Sequence, residues 1–419
     1  MSENPVFMEK MVPSFELDLK ELPPIPRVEV DEISENCSDS QNSVNDIQET
    51  FVNKRRNLSN YSISRSEIRK SYQSTSTCLS ESALDLEKLA SQVDRYGFLE
   101  EDQTSPNTSS LEKEVERALK WKGMVLSKTI GVSNLRLYSF KESRKLVRRT
   151  YKGVPDCWRG EYWYFLSTRK ISMKTERKLT SDYQVLSSLE STDETQIDLD
   201  IPRTLQDNIM FKQRYGLGQR MLFTVLTSFS NYDKEVGYCQ GMASVASTLI
   251  AYISEEKSFV ALSCLFEHYS LREMFLPGFP KLMETFHVQA KLMKKHTPKL
   301  LQYLNTLDIQ LSFFAARWYL TLFSSGVVPH RTTLRIWDIF LLHGLDMLIC
   351  VSVALLKYHE VSLLKMGFEE IMTFLNRKIP VNNDDFFIID IVKPLYERRS
   401  TLRIISRARD EYKRINTPS

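Results

Sequence analysis

From Gly153 to Tyr412, apolar side chains return at steps of three and four residues in one stretch after another, separated by glycine, proline or short polar runs. That period lines up one apolar stripe per α-helix, and it is the tightest limit on what this chain can fold into. The turn Gly153-Val154-Pro155 leads into a helix carrying Trp158, Tyr162, Trp163 and Leu166, with Pro155 suited to the first turn. The stretch 172–200 reads as a polar, partly helical crossing. Further helices are expected over 219–232, 241–253, 259–269, 280–294, 300–304, 313–323, 332–341, 348–365, 368–376 and 388–412. Ahead of Gly153, one helix is expected from Leu111, anchored by Trp121, and a second, basic one over 139–150. No run alternates β-branched and polar residues over a strand's length, so no sheet is expected. The fold class is all-α.

Residues 1–80 are rich in Ser, Asn, Thr, Asp and Glu and low in aromatics, too little apolar surface to offset backbone ordering. They are expected to be a largely disordered acidic, Ser/Thr-rich region. Within them, Lys54-Arg55-Arg56 ahead of Ser59, and Arg65 beside Ser66, read as a solvated basic run, a docking patch or phosphorylation sites. Residues 81–110 read as a linker with a short helical segment from Leu84 to Val93, closed near Gly97. The core is expected over 111–400, and 401–419 as the basic end of a helix and a tail.

Residues 1–110 hold 20 acidic against 11 basic side chains, so of a net charge of +3 they carry −9 and the remainder +12. This gives little support for a nucleic-acid binder, which gathers its cations on one face. The six cysteines form no CxxC, and no histidine stands at metal-finger spacing from a pair, which argues against a structural metal or disulfide framework. His268, His287 and His296 make no HExxH, and Cys239 has no histidine near it in sequence. The acidic start is unlike a secretory signal, and the most apolar stretches are broken short of a membrane span of roughly 20 residues. A soluble intracellular protein, with any membrane contact peripheral, is expected.

Two features carry chemistry. Tyr238-Cys239-Gln240 follows a polar run and Gly237, and leads through Gly241 into a helix with a narrow face of Ala and Ser. An amide at such a joint suggests positioning work. Arg203 follows Pro202 and the acid-rich stretch 193–200; an arginine there is a carboxylate partner or a donor aimed outward.

These residues resemble the TBC domain of GTPase-activating proteins for Rab-type small GTPases, over about residues 111–400. The motif Arg-x-x-x-Trp is matched by Arg159 and Trp163, Ile-x-x-Asp-x-x-Arg by Ile197, Asp200 and Arg203, and Tyr-x-Gln by Tyr238 and Gln240. Trp318, Phe323, Pro329 and Leu334 to Asp338 are similar to the helical half that supports the site, and Asp94 to Phe98 to a segment found ahead of the domain. Ala243 and His343 depart from the family, which often has Asn and Glu there. The resemblance implies a two-halved helical domain acting on a GTP-bound Rab. Arg203 is implied as an arginine finger and Gln240 as a glutamine finger, both supplied in trans.

On that reading no cofactor belongs to the chain itself, because GTP and Mg2+ arrive on the partner. Asp200 is expected to orient Arg203 or bind its loop, Arg159 to brace that loop through an acid such as Asp200, and Trp163 to lie in the core. Tyr238 either touches the GTPase or fills a core gap. Gly241 supports the joint. The acidic N-terminal region and the basic C-terminal helix, with Arg398, Arg399, Arg403, Arg407 and Arg409, are the candidates for adaptor or membrane recruitment. The alternative class is a catalytically weak Rab-binding or scaffold protein of the same fold.

Overall fold

Helical periodicity becomes helix almost throughout the computed structural model, which describes residues 63–73, 93–99, 108–130 and 135–416. Two units are present: Met1–Thr104 with Gln206–Arg220, and Ser105–Leu205 with Met221–Ser419.

The larger unit has two halves, each built round one buried helix. Glu255–His268 is apolar on nearly every side, with Phe259, Leu262 and Leu265 fully buried. It packs against Asp156–Thr168, Met173–Leu186 and Met242–Ile250. Pro280–His296 is the centre of the second half, set against Leu345–Tyr358, Ser312–Leu320, Pro298–Thr306 and Arg399–Asn416. Leu345–Tyr358 reads LDMLICVSVALLKY, apolar all round, as expected of a helix enclosed by protein. His330–His343 packs on both Asp156–Thr168 and Leu345–Tyr358 and so ties the halves together. Gly160 lets this layer close: a Cβ there would stand 2.1 Å from the Tyr252 carbonyl oxygen.

Two expectations fail in this unit. The first is the absence of any sheet: Val125–Ile130 and Leu135–Phe140 form an antiparallel hairpin, in register from Val125 with Phe140 to Ile130 with Leu135. The alternation in Leu-Arg-Leu-Tyr-Ser-Phe is real but short and poor in β-branched residues, so periodicity alone passed over it. Phe140 is buried, its ring 5.0 Å from Tyr162 and 6.0 Å from Trp121. The basic helix expected from residue 139 therefore starts only at Arg144, where the Ser143 hydroxyl accepts from Leu146 N at 3.2 Å.

The second is the single helix expected over 388–412. The chain instead runs through a wide π-helical turn, Phe386–Val392, a short helix, Lys393–Glu397, an extended Arg398 (ψ 121°) and then Arg399–Asn416. Pro394 has no N–H to continue the ladder, which accounts for the irregular backbone before it.

The smaller unit corrects the disorder expected over 1–80 at one place. Arg65–Gln73 is a helix. Glu67 N donates to the Ser64 hydroxyl at 3.3 Å, and Ser64 N donates back to the Glu67 carboxylate at 2.8 Å, a reciprocal cap. Ile68 and Tyr72, one turn apart, are buried, and Arg214 donates to the Tyr72 hydroxyl at 2.9 Å. A turn follows in which Asp94 Oδ1 accepts from Tyr96 N and Phe98 N, with Gly97 at φ +82°. The Lys54-Arg55-Arg56 run, Ser59 and the segment from Leu84 lie outside the described residues. Among the described residues no helix is long and apolar enough to cross a membrane.

Candidate functional site

Arg203 ends a rigid step in the chain. The helix Glu194–Asp200 runs directly into a single 3-10 turn, Ile201–Arg203, with Pro202 fixing the backbone. Ile197 and Ile201 anchor the step and are fully buried. Beyond it, Thr204 closes the turn twice, its N donating to the Ile201 carbonyl at 3.0 Å and its hydroxyl to the Asp200 carbonyl at 2.9 Å. Leu205 then takes the left-handed conformation at φ +51°. The Arg203 side chain stands exposed, and among the described residues its guanidinium has no hydrogen-bond or ion-pair partner. Of the two readings of this arginine, the outward donor fits the geometry.

Gln240 sits at a second joint. Gly237 (φ +59°) and Gly241 (φ +103°) bracket the tripeptide in left-handed conformations that side-chain-bearing residues rarely adopt. Gly241 caps Met242–Ile250, a helix whose every residue but Ser244 is buried. Gln240 is half-buried, and its amide likewise has no hydrogen-bond partner among the described residues. Cys239 N points back into the turn toward Met242 Sδ at 3.1 Å.

Tyr238 joins the two loops. It is 1% exposed and fills the core gap, which decides its open role. Its hydroxyl donates to Asp200 Oδ2 at 2.8 Å, and its N donates to Asp193 Oδ2 at 2.8 Å. Arg203 is thus three residues beyond one end of a buried tie and Gln240 two residues beyond the other. The tie corrects the expected work of Asp200, whose carboxylate meets the Tyr238 hydroxyl instead of steering the guanidinium directly. Burial, then the adjacent Asp200 carboxylate, push the Tyr238 phenol well above its ordinary range, so it remains the donor.

The expected brace from Arg159 also has a different anchor. Arg159 is held by Asp156, one turn before it, by Asp338 at 3.3 Å and by the Val154 carbonyl at 2.6 Å. Trp163, on the same helical face, is fully buried, and its Nε1 donates to the same Asp338 Oδ1 at 2.8 Å. Val154 N donates to the other carboxylate oxygen at 3.2 Å. Burial pushes Asp338 up, while Arg159, Trp163 and Val154 oppose that shift. The Trp163 ring packs 5.0 Å from Tyr252 and 5.2 Å from Trp337. Arg159 and Trp163 therefore pin the Asp156–Thr168 helix to His330–His343.

Sequence reading missed Asp338 as the receptor of this knot, Asp193 as a partner of Tyr238, and the trio Asp233, Glu235 and Arg272 beside Gln240. Asp338 and Asp193 stood inside stretches already singled out, but their partners lie 45 or more residues away. Among the described residues no group of three His, Cys, Asp or Glu is placed to hold a metal ion.

A helical domain of two halves thus carries, on tied loops, an arginine and an amide that have no partner among the described residues. The model of the Rab-GTPase-TBC domain matches residues 156–364. A TBC domain-containing protein of Schizosaccharomyces pombe is 38% identical over 289 residues, covering 67% of this chain and 67% of that protein. The Rab GTPase-activating proteins tbc-11 and eat-17 of Caenorhabditis elegans are 32% and 34% identical, over 57% and 56% of this chain. The chain spans only 25% and 26% of the length of those two. In fold it is similar to the Ypt/Rab-GAP domain of Gyp1p, with a TM-score of 0.53 at 17% identity over 72% of this chain and 99% of that one. The Chlamydomonas flagellar RabGAP TBC domain gives the same TM-score at 23% identity, over 73% and 99%. The chain belongs to the TBC domain family.

Proposed function

We propose that the chain is a GTPase-activating protein for a Rab-family GTPase in its GTP-bound form, and so acts in vesicle trafficking. The observation that carries this reading is a pair of side chains without partners among the described residues, Arg203 exposed and Gln240 half-buried, on loops joined by the 2.8 Å Asp200–Tyr238 bond. GTP hydrolysis asks for an attacking water held in line and for neutralisation of charge gathering on the phosphate oxygens. A guanidinium supplies a permanently charged planar fork for the second task, and a lysine's point charge does not reproduce it. An amide carries acceptor and donors together, so Gln240 can accept from the water while donating to an oxygen. GTP and Mg2+ are carried by the partner, and the chain is an activator without hydrolase activity of its own. It works in the cytoplasm and in peripheral contact with endomembranes. Recruitment falls to the N-terminal region and to the last helix, where Arg399, Arg403 and Arg407 are exposed one turn apart.

Single-turnover hydrolysis across a panel of purified Rab GTPases, with the chain in excess, tests the reading. Arg203→Ala and Arg203→Lys are expected to lose most of the stimulation, an arginine finger contributing roughly 10³–10⁵ in rate. Gln240→Ala is expected to be severely impaired even where the GTPase keeps its own switch glutamine. Full stimulation by Arg203→Ala overturns the arginine finger, and full stimulation by Gln240→Ala leaves a one-finger activator. A wild-type chain that binds a Rab without accelerating it belongs to the catalytically weak class.

A further inference from the structure

Ahead of the Tyr238 tie, the segment that delivers Gln240 is held by the Arg272 side chain. Arg272, second residue of the helix Leu271–Phe275, lies 39 residues from Asp233 in sequence. Its Nε donates to Asp233 Oδ2 at 2.7 Å and its Nη2 to Asp233 Oδ1 at 3.2 Å, both oxygens of one carboxylate. The same Nη2 donates to Glu235 Oε2 at 2.5 Å. Asp233 in turn shapes the loop: its Oδ1 accepts from Val236 N at 3.3 Å and its carbonyl from Gly237 N at 2.8 Å. Tyr238 is the next residue.

The base from which Arg272 reaches is rigid. Leu271 and Met274 are fully buried, and the Phe275 ring stacks on Phe266 with centroids 5.3 Å apart. Two carboxylates two residues apart in a partly exposed loop repel each other, and the guanidinium between them cancels that repulsion. A bidentate fork also fixes direction, which a single ammonium cannot. The loop thereby has one hold before Gln240, at Asp233 and Glu235, and a second at Tyr238.

We propose that Arg272 is a positioning residue for Gln240, setting the amide's place by clamping Asp233 and Glu235. This rests on the reading of Gln240 as the group that orients water. Displacement of a positioning group by about 1 Å can cost on the order of 100-fold in rate. The test uses the full chain carrying Arg272→Ala or Arg272→Lys, alone and combined with Gln240→Ala. Single-turnover hydrolysis is measured on a GTP-loaded Rab that the wild type stimulates, and amide exchange is followed without any Rab.

Arg272→Ala is expected to lower the saturating rate roughly 10-fold or more, and to add no further loss once Gln240 is alanine. Arg272→Lys should fall between it and the wild type. Exchange at residues 236–241 should quicken in Arg272→Ala while that of Leu345–Tyr358 stays unchanged. Unaltered exchange at 236–241 overturns the clamp, and an equal loss on the Gln240→Ala background shows that Arg272 does not act through Gln240. If Arg272→Ala fails to fold, Arg272→Lys carries the same two measurements. A wild type that stimulates no Rab sinks the GTPase reading and not the clamp, which then stands or falls on the exchange alone.

Discussion

Tyr238→Phe isolates the tie between the two loops. The change removes one oxygen and keeps the ring, so a side chain 1% exposed leaves almost no cavity behind. What disappears is the 2.8 Å bond to Asp200 Oδ2. Asp200 is 7% exposed, so water reaches its carboxylate poorly, and the Gln196 Nε2 contact at 3.4 Å goes to the other oxygen, Oδ1. A hydrogen bond to a charged group contributes about 1.5–3 kcal/mol, and burial of the acceptor favours the upper part of that range. Urea denaturation is therefore expected to show a loss of about 2 kcal/mol with an unchanged slope. Because the bond connects the step bearing Arg203 to the joint bearing Gln240, the saturating single-turnover rate should also fall, by roughly 10-fold or more. Stability reduced with full stimulation would show that the tie serves the fold only. An unchanged urea midpoint would refute the energetic argument itself.

Trp163→Ala is expected to destabilise by about 3–5 kcal/mol, since it empties a fully buried indole site and removes a donor from Asp338; chemical denaturation measures it. Gly160→Ala should destabilise although alanine is the better helix former, because its Cβ would meet the Tyr252 carbonyl oxygen at 2.1 Å and the helix and the turn at Tyr252 must part. A more stable Gly160→Ala protein would contradict that contact. Stability should also decline on acidification. Burial, aided by Arg159 and Lys378, lowers His330 to about 4, and burial, aided by Arg169, lowers His343 to about 4. Both rings stay neutral in the fold while the unfolded chain protonates near 6.5, so their contribution is complete above about 6.5 and is lost as pH falls from there toward 4. Between pH 7 and 5 this amounts to about 2 kcal/mol per ring, read as a shift in urea midpoint that His343→Gln should reduce.

Helices were legible because their evidence is local: an apolar stripe and a glycine or proline stop can be read within fifteen residues. Arg203 and Gln240 drew notice for a related reason, since each stands beside a backbone restraint, Pro202 or Gly241, that the sequence displays, while the finger roles proposed for them rest on the family resemblance. The hairpin was not, because its stability comes from Phe140 entering a cluster with Trp121 and Tyr162 and not from its own alternation. Nor was the helix Arg65–Gln73 visible inside a polar tail, since it depends on Tyr72 meeting Arg214, 142 residues on. The acids were misassigned for the same cause. Asp200 is three residues from Arg203, yet it is taken by a phenol 38 residues away, and Arg159 turns to an aspartate 179 residues away.

That misassignment leads to the strongest argument for the site. Arg159 is satisfied by Asp156, Asp338 and a carbonyl, and Arg335 by Asp385 and the Tyr151 carbonyl. Arg317 is satisfied by Ser325 and the Asn376 carbonyl, and Arg272 by Asp233 and Glu235. Each has a structural task, and truncating any of them leaves an acid or a carbonyl without its donor. Arg203 is held in place by Ile201, Thr204 and the Asp200 backbone, while its own charge satisfies nothing in the described structure. Its removal should therefore change stability by less than about 0.5 kcal/mol, as at an ordinary surface position. A backbone this constrained around a side chain with no internal work is best explained by work done on a partner. Stability and stimulation should separate more completely at Arg203 than at any of the four paired arginines.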